Sequence, residues 1–315
     1  MSNFKKYFTL LLVVFVPAVA STAWAHPLRV VTTTDYIEAL VRTIGGKAVS
    51  VTTLSPPGFD ADGYSPRPQD VFKIHRAKVF IMIGLDLEDW ARDLITSANN
   101  PKLIKAQIYK GIKLLDVPTG HIDYSFGDIH PFGNPHFQLD PEDGRIMASN
   151  IEKVLVFADP SHKKLFKKNL AKFDTRLTAA EKKWKAELAP YKGDAILPYH
   201  ESWDYFGLGF GFVIPRPPHT IEEKPGFVPS PRRIETVIKE ARAAHVKLVI
   251  TEPYYIVSIA KTIAKALHVP YISVDLYGIG LNPKEKGYIS MVNHIVNRVA
   301  AALKKTVNKK GAGKS

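Results

Sequence analysis

The chain has 315 residues, a formal net charge of +13 and no cysteine. Without a sulfur atom from cysteine it can form no disulfide, thiolate metal site, iron–sulfur cluster or cysteine-based active site. Hydrophobic residues make up 45% of the chain and charged residues 23%, so it can fill the cores of two ordinary domains and is not a disordered polymer.

The first 25 residues have the pattern of a secretory signal peptide. Lys5 and Lys6 precede an apolar run at 7–16, and small residues then lead to the sequence A-W-A at 23–25. The run is too short for a comfortable membrane span, and the A-x-A order is typical of a cleavage site. We therefore predict cleavage after Ala25. Because no cysteine follows the run, we expect a soluble mature protein without a lipid anchor.

Strand and helix patterns alternate in residues 26–158, which we interpret as an N-terminal lobe. Strands are predicted at 28–33, 49–54 and 78–83, and helices at 36–44, 69–77 and 87–98. Asp35 is predicted to cap the first helix. A loop rich in Pro and Gly covers 55–68. Strands separated by helices of this length favour parallel βαβ units with helices on both faces of the sheet.

A long helix is predicted in the middle of the chain. From Ser161 to Leu188, apolar residues recur every three or four positions, at Phe166, Leu170, Phe173, Leu177, Ala180, Trp184 and Leu188. That spacing marks one face of an amphipathic helix, whereas a solvated charged helix would lack the apolar stripe. We interpret residues 159–190 as a rigid link between two lobes.

The alternation resumes in residues 191–303, the predicted C-terminal lobe. Strands are predicted at 194–198, 246–251 and 270–274, and helices from 203 and at 231–244, 256–267 and 289–303. Residues 304–315 are rich in lysine and are predicted to be a disordered tail. The predicted fold class is therefore α/β, with two parallel-sheet lobes joined by a long helix.

Polar side chains that could bind a ligand follow several of these strands. Asp62, His200, Glu252 and Asp275 come after strands, and His136 lies in a loop at 132–141. Ligands bind open α/β sheets at the carboxyl ends of the strands. Two such sheet edges facing each other would form a cleft between the lobes.

The motifs around these residues resemble those of the zinc- and manganese-binding solute receptors of bacterial ABC importers. In chain order they are PPGFDADGYSPRPQD, GNPHFQLDP, PYHESWDYF, TEPYY and SVD. The match covers nearly all of the mature chain. It implies two α/β lobes joined by a rigid helix, with one divalent ion, Zn or Mn with Fe as a further option, bound between them. The ligands carried over by position are Asp62, His136, His200 and Asp275.

The resemblance also implies a function and partners. The receptor would be a periplasmic monomer that is not an enzyme, that has no nucleic-acid partner, and that delivers its ion to an inner-membrane ABC permease driven by a cytoplasmic ATPase. Binding would need neutral imidazoles and ionised carboxylates. Because the chain has no cysteine, we expect it not to be a lipoprotein.

The first motif departs from the family pattern. The family normally reads D-P-H and uses the histidine, whereas Asp60-Ala61-Asp62 places a carboxylate at that position. A carboxylate can still bind a divalent ion at about 2.0–2.2 Å. Two imidazoles and two carboxylates form a harder donor set than three histidines, which favours Mn²⁺ or Fe²⁺ relative to a histidine-rich zinc site. The identity of the metal stays open at this point.

Three further residues could support or complete the site. We interpret Glu252 as a residue that orients a ligand histidine. Glu222 could supply a replacement carboxylate if Asp62 does not reach the ion. His130 is interpreted as a hydrogen-bonding loop residue, with metal contact as the alternative. Blander roles also exist for two predicted ligands, because Asp62 could be an ordinary turn residue and Asp275 a cap.

Two other function classes are weighed against metal capture. A metal-dependent hydrolase lacks support, because the sequence contains no HExxH, G-x-S-x-G or glycine-rich phosphate motif. A degenerate metal site on a surface-interaction or adhesion protein is favoured by Asp62 and by the lysine-rich tail. A nucleic-acid partner is not expected, because no basic motif interleaved with aromatic residues is present.

Overall fold

The computed structural model describes residues 26–120, 130–224, 226–277, 279 and 287–312. The predicted signal peptide, residues 1–25, lies outside the described residues, as do the last three residues of the predicted tail.

The N-terminal lobe contains a four-stranded parallel sheet in the order β2-β1-β3-β4. Its strands are β1 (Leu28–Thr32), β2 (Val49–Thr53), β3 (Val79–Met82) and β4 (Ile104–Gln107). Its helices are α1 (Asp35–Gly45), α2 (Pro68–Arg76), α3 (Ala91–Ala98) and α4 (Pro141–Ala158). Pro68 and Pro141 occupy first-turn positions of α2 and α4, where a missing N–H costs nothing. The predicted parallel βαβ arrangement is confirmed.

Two elements and one cap of this lobe differ from the sequence prediction. Strand β4 was missed because it is an edge strand whose four residues alternate between half-buried and exposed, so it has no apolar run. Helix α4 was also missed, although Asp140 caps it by accepting a hydrogen bond from the Glu142 amide at 2.9 Å. Asp35 is the first residue of α1 rather than its cap, because Thr34 occupies the N-cap position.

The C-terminal lobe contains a three-stranded parallel sheet in the order β5-β6-β7. Helix α5 (Lys163–Leu188) precedes this sheet. The strands of the sheet are β5 (Ile196–Pro198), β6 (Leu248–Thr251) and β7 (Tyr271–Ser273). The helices of this part of the chain are α6 (Asp204–Phe210), α7 (Pro231–Ala243), α8 (Val257–Leu267) and α9 (Tyr288–Ala312). The four residues of β6 are all buried, as expected of a central strand covered on both faces.

The prediction of a disordered tail from residue 304 is wrong for the part that the structure describes. Helix α9 continues to Ala312. The segment 304–310 contains no Pro or Gly, and lysine is a good helix former, so the helix extends beyond its apolar stripe. The residue limits of the predicted lobes otherwise stay predictions.

Helix α5 (Lys163–Leu188) has 26 residues, which corresponds to roughly 40 Å at 1.5 Å per residue. Its buried residues belong to the apolar stripe predicted from the sequence: Phe166, Phe173, Leu177, Trp184 and Leu188. It packs against α1 and α4 of the N-terminal lobe and against α9. Polar contacts support this packing: the Asn169 amide donates to the Ile44 carbonyl at 2.9 Å, and the Trp184 indole donates to Asn293 at 3.1 Å. The link is therefore a strut packed along both parts of the molecule.

A helix that crosses a bilayer must be long and predominantly apolar. None of the helices, within the described ranges, is both long enough and apolar enough to cross a bilayer.

The buried face of α5 should carry much of the stability. Phe166 is 0% exposed on α5, whereas Phe157 is 74% exposed on α4, so the same substitution can be made in both environments. Phe166→Ala should lower the free energy of unfolding by about 3–5 kcal/mol, because it removes buried area and leaves a cavity. Phe157→Ala should change it by less than about 0.5 kcal/mol. Chemical denaturation of both variants measures the difference, and equal effects would contradict the packing described here.

Candidate metal centre

Asp62 lies in the loop between β2 and α2, and buried contacts hold this loop in place. The carbonyl oxygen of Ala61 accepts a hydrogen bond from the Trp90 indole at 3.2 Å, and the Asp62 amide donates to the Asp60 carboxylate at 3.3 Å. Tyr64 packs edge-on against Trp90 with ring centroids 4.9 Å apart. As a result the Asp62 side chain is only 9% exposed and points into the protein.

His136 belongs to a loop that Asn134 connects to the C-terminal lobe. The Asn134 side chain accepts from the His136 amide at 2.9 Å and donates to the Glu201 carbonyl at 3.0 Å. The Asn134 carbonyl accepts a hydrogen bond from the Tyr205 hydroxyl at 2.8 Å. These bonds place the His136 loop directly against the segment that follows β5. His200 is in that segment, two residues beyond the end of the strand.

Three of the four predicted ligands come together. Asp62 Oδ2 lies 3.6 Å from His136 Nε2 and 3.8 Å from His200 Nε2, and the two imidazole nitrogens are 3.3 Å apart. All three side chains are at least nine-tenths buried. His130 also approaches, with its Nε2 3.6 Å from Asp62 Oδ2. The ligand atoms of Asp62, His130 and His136 lie within 4.8 Å of one another.

Asp275 does not join this group in the structure. Its Oδ1 accepts a hydrogen bond from the Tyr277 amide at 2.8 Å, so the carboxylate closes the turn after β7. Among the described residues, the clusters of atoms that could hold a metal ion do not include it. The contact with the Tyr277 amide fits the alternative in which Asp275 caps the turn after the strand.

Two glutamates have contacts that differ from those expected from the sequence. The Glu222 carboxylate is 2.7 Å from His200 Nδ1 and so fixes the orientation of that ring. Glu252 was expected to orient a histidine, but its Oε1 accepts a hydrogen bond from the Trp203 indole at 2.7 Å and its Oε2 is buried without a partner in the described structure. Glu222 therefore does what was expected of Glu252.

Burial and neighbouring charge act in opposite directions on the histidines. Burial lowers the pKa of His136 to about 3, which leaves the ring neutral and able to donate a lone pair. Burial also disfavours the charged form of His200, but the hydrogen-bonded Glu222 outweighs it and raises the pKa of His200 well above its ordinary value. The pKa of His130 is likewise raised, because the Asp62 carboxylate outweighs burial.

The pKa of Asp60 is raised and the pKa of Asp62 is lowered, although both belong to the Asp60-Ala61-Asp62 motif. Burial and the charge of Asp62 raise the pKa of Asp60 to about 7. Burial would also raise the pKa of Asp62, but the adjacent histidines, His136 and His130 foremost, hold it below its usual range. Asp62 is therefore an ionised carboxylate that faces imidazole nitrogens, an arrangement suited to a cation.

Buried polar atoms without partners converge on the same place. Among the described residues, Asp62 Oδ1 and His130 Nε2 are buried and have no hydrogen-bond partner. Leaving such atoms unpaired costs free energy, and a buried polar group normally has a partner or binds an ion. Imidazole nitrogens with a carboxylate form a usual donor set for Zn²⁺ and related ions, so the residues fit a divalent metal.

Three neighbours of the site were not singled out from the sequence. Glu201 directly follows His200, and one of its oxygens lies within 4.8 Å of the ring nitrogens of His136 and His200. Asp60 accepts a hydrogen bond from the Tyr255 hydroxyl at 3.2 Å. Tyr255 in turn packs against the His200 ring, with centroids 5.4 Å apart. The place of Glu201 beside His200 in the PYHESWDYF motif is the only sequence signal that could have pointed to it.

A second group of ligand-type side chains, Asp116, Asp204 and His219, lies nearer the surface. Arg216 Nη2 is 2.9 Å from Asp116 and 3.0 Å from Asp204. Since a guanidinium already pairs with both carboxylates, this group is an ion-pair network that connects the lobes.

Comparison with known proteins agrees with this architecture. The family model described as "ZnuA: Zinc-uptake complex component A periplasmic" matches residues 30–302. The manganese ABC transporter substrate-binding lipoprotein PsaA of Streptococcus anginosus is 26% identical over 313 residues, which cover 94% of this chain and 98% of that protein. The iron-binding protein YfeA of Yersinia pestis is 26% identical over 282 residues, covering 88% and 86% respectively.

Solved structures show the same fold. A crystal structure of ZnuA aligns with a TM-score of 0.73 at 21% identity and covers 88% of this chain and 100% of its own. A Mn-bound periplasmic metal binding protein from Candidatus Liberibacter asiaticus aligns with a TM-score of 0.73 at 20% identity, covering 88% and 99%. The predicted fold of two α/β lobes joined by a long helix is confirmed.

One prediction about location is wrong. The sequence predicts a periplasmic protein that is not a lipoprotein, but PsaA of Streptococcus anginosus and FimA of Streptococcus parasanguinis are named lipoproteins. This chain itself contains no cysteine.

The names of these relatives also decide between the broad function classes. They describe binding proteins, so the interpretation as a solute receptor and not an enzyme is confirmed. Since the family model spans residues 30–302, the chain belongs to the ZnuA family of metal-binding ABC transporter substrate-binding proteins.

Proposed function

We propose that this chain captures one divalent transition-metal ion between its lobes and delivers it to an ABC permease powered by a cytoplasmic ATPase. The observation that carries the proposal is the convergence of Asp62, His136 and His200, whose ligand atoms lie 3.3–3.8 Å apart in a buried position. The metal is the cargo of the protein. The relatives are named for manganese and iron, and the matched family for zinc.

The arrangement of the lobes supports capture by small adjustments. Asp62 and His136 come from the N-terminal lobe and His200 from the C-terminal lobe, so a bound ion would join them. Helix α5 packs along both parts of the molecule, and a stiff strut disfavours the wide hinge closure seen where flexible segments connect two domains. Movement of loops around the ion is the simpler route to loading and release.

The proposal is tested by removing the imidazoles. His136→Ala and His200→Ala should each abolish tight binding of the metal ion. Each substitution removes one ligand atom and leaves the other buried polar groups without a partner. His75→Ala is the matched control, since His75 is exposed on α2. Calorimetric titration measures binding, and growth in metal-limited medium measures delivery. Normal growth with both site variants would favour the adhesion alternative and contradict the proposal.

A second test concerns the carboxylate behind His200. Because Glu222 holds His200 Nδ1 at 2.7 Å, Glu222→Gln should weaken metal binding by roughly 10- to 100-fold, the usual cost of losing a group that orients a ligand. Glu223 is exposed in the same loop, so Glu223→Gln should leave the affinity unchanged. Competition against a chelator of known affinity gives both values. Equal affinities for the two variants would mean that Glu222 does not orient the ligand.

A further inference from the structure

The donor set of the proposed metal site is incomplete with Asp62, His136 and His200 alone. A structural zinc site has four ligands, and a transport site that buries its ion is expected to surround it in the same way. Resemblance to the family implies Asp275 as the fourth ligand. In the structure, Asp275 instead accepts the Tyr277 amide at 2.8 Å, so another donor is needed.

His130 is in the place that such a donor would occupy. The residue is 5% exposed, and its Nε2 lies 3.6 Å from Asp62 Oδ2, too far for a hydrogen bond. That nitrogen is buried and without a hydrogen-bond partner among the described residues. Its ring meets the His136 ring edge-on, with centroids 5.5 Å apart. A buried nitrogen directed at a carboxylate, but not bonded to it, leaves space for an ion between the two.

Four of the six separations between the donor atoms are close to the size that a tetrahedral ion requires. Bonds of about 2.0–2.2 Å at tetrahedral angles place neighbouring donors roughly 3.4 Å apart. The distances from Asp62 Oδ2 to His130, His136 and His200 are 3.6, 3.6 and 3.8 Å, and His136 to His200 is 3.3 Å. Small inward movements would bring these atoms to bonding distance of one ion.

We infer that His130 completes the coordination sphere in place of Asp275, so that the site consists of three imidazoles and the Asp62 carboxylate and favours zinc. The inference rests on the proposed function, because it names the cargo of that same site. It reverses the leaning toward Mn²⁺ or Fe²⁺ that two carboxylates imply. Nitrogen donors suit Zn²⁺, whereas Mn²⁺ is better served by carboxylate, carbonyl and water oxygens.

One other side chain competes for the fourth position. Glu201 has an oxygen within 4.8 Å of the ring nitrogens of His136 and His200. Glu201 is less buried than His130. The cluster that contains Asp62 also contains His130 and His136 but not Glu201. The experiment therefore includes Glu201→Gln beside the other variants.

The test begins with the unmodified full-length chain, loaded with one equivalent of zinc after removal of all metal with a chelator. X-ray absorption at the zinc edge counts the imidazole rings bound to the ion. We expect three imidazoles and one oxygen ligand. Two imidazoles would overturn the inference while leaving the proposed function intact, and failure to bind zinc, manganese or iron at all would instead overturn the proposed function.

Variants then identify the ligands. His130→Ala should weaken zinc binding on the order of 100-fold or more. Loss of a group that only orients a ligand usually costs roughly 10- to 100-fold, so loss of a ligand should cost at least the upper value. The number of imidazoles bound to zinc should fall to two. His130→Ala should also narrow the preference for zinc over manganese. Asp275→Asn, Glu201→Gln and the surface control His75→Ala should keep both the affinity and the count.

The opposite pattern would contradict the inference. If Asp275→Asn or Glu201→Gln weakened zinc binding while His130→Ala did not, that carboxylate and not His130 would be the fourth ligand. Circular dichroism and thermal unfolding of each metal-free variant show whether it is folded. If His130→Ala does not fold, the imidazole count of the unmodified chain decides the question alone.

Discussion

Two imidazole nitrogens from different lobes face each other at 3.3 Å in a buried position, and the rest of the structure is organised around that contact. The two rings lie beside the Asp62 carboxylate, and Glu222 is bonded to His200, so imidazole nitrogens and buried negative charge are gathered in one pocket. Such a pocket is costly when nothing occupies it. A divalent cation is the species that turns all of these groups into favourable partners.

The scaffold determines where the contact can form. The carboxyl edges of two separate parallel sheets supply loops, and α5 packs against helices from both parts of the chain. Asn134 then ties the His136 loop to the Glu201 carbonyl beside His200. A rigid frame with a polar connection between the lobes fixes the positions of these side chains, which is what a site of defined donor geometry needs.

The electrostatics around His136 and His200 link the proposed binding of a metal ion to pH. Burial keeps His136 in the neutral form, whereas Glu222 favours a proton on His200. Binding of an ion through His200 must therefore displace a proton, and metal binding is linked to pH. The same carboxylate that stabilises the proton also orients the ring, so Glu222 contributes to both the loaded and the empty state.

Much of the fold was predictable from the sequence, because it depends on local periodicity. The apolar stripe at Phe166, Phe173 and Trp184 predicts α5 and its buried face, and alternating strand and helix patterns predict the parallel sheets. The meeting of His136 and His200, whose Nε2 atoms are 3.3 Å apart, was expected from their motifs. The direction of a carboxylate at a strand end was not: Asp275 turns back onto the Tyr277 amide, a detail of one turn that no spacing encodes.

The contact of Glu222, and not Glu252, with His200 has a similar origin in tertiary contacts. Glu222 reaches His200 because the Ile221 and Glu222 amides donate to the carbonyls of Pro198 and Tyr199, at 3.0 and 3.3 Å. That pairing lays a distant loop beside the end of β5. Glu252, which follows the adjacent strand, lies instead beneath Trp203. Sequence motifs name candidates for the site, but packing decides which of them come into contact.

The central claim is that one ion sits between the lobes on Asp62, His136 and His200. A crystal structure of the zinc-loaded protein, with anomalous scattering recorded on both sides of the zinc absorption edge, tests it most directly. We expect one strong anomalous peak per chain, within bonding distance of these three side chains. A peak elsewhere, or none in a fully loaded crystal, would contradict it.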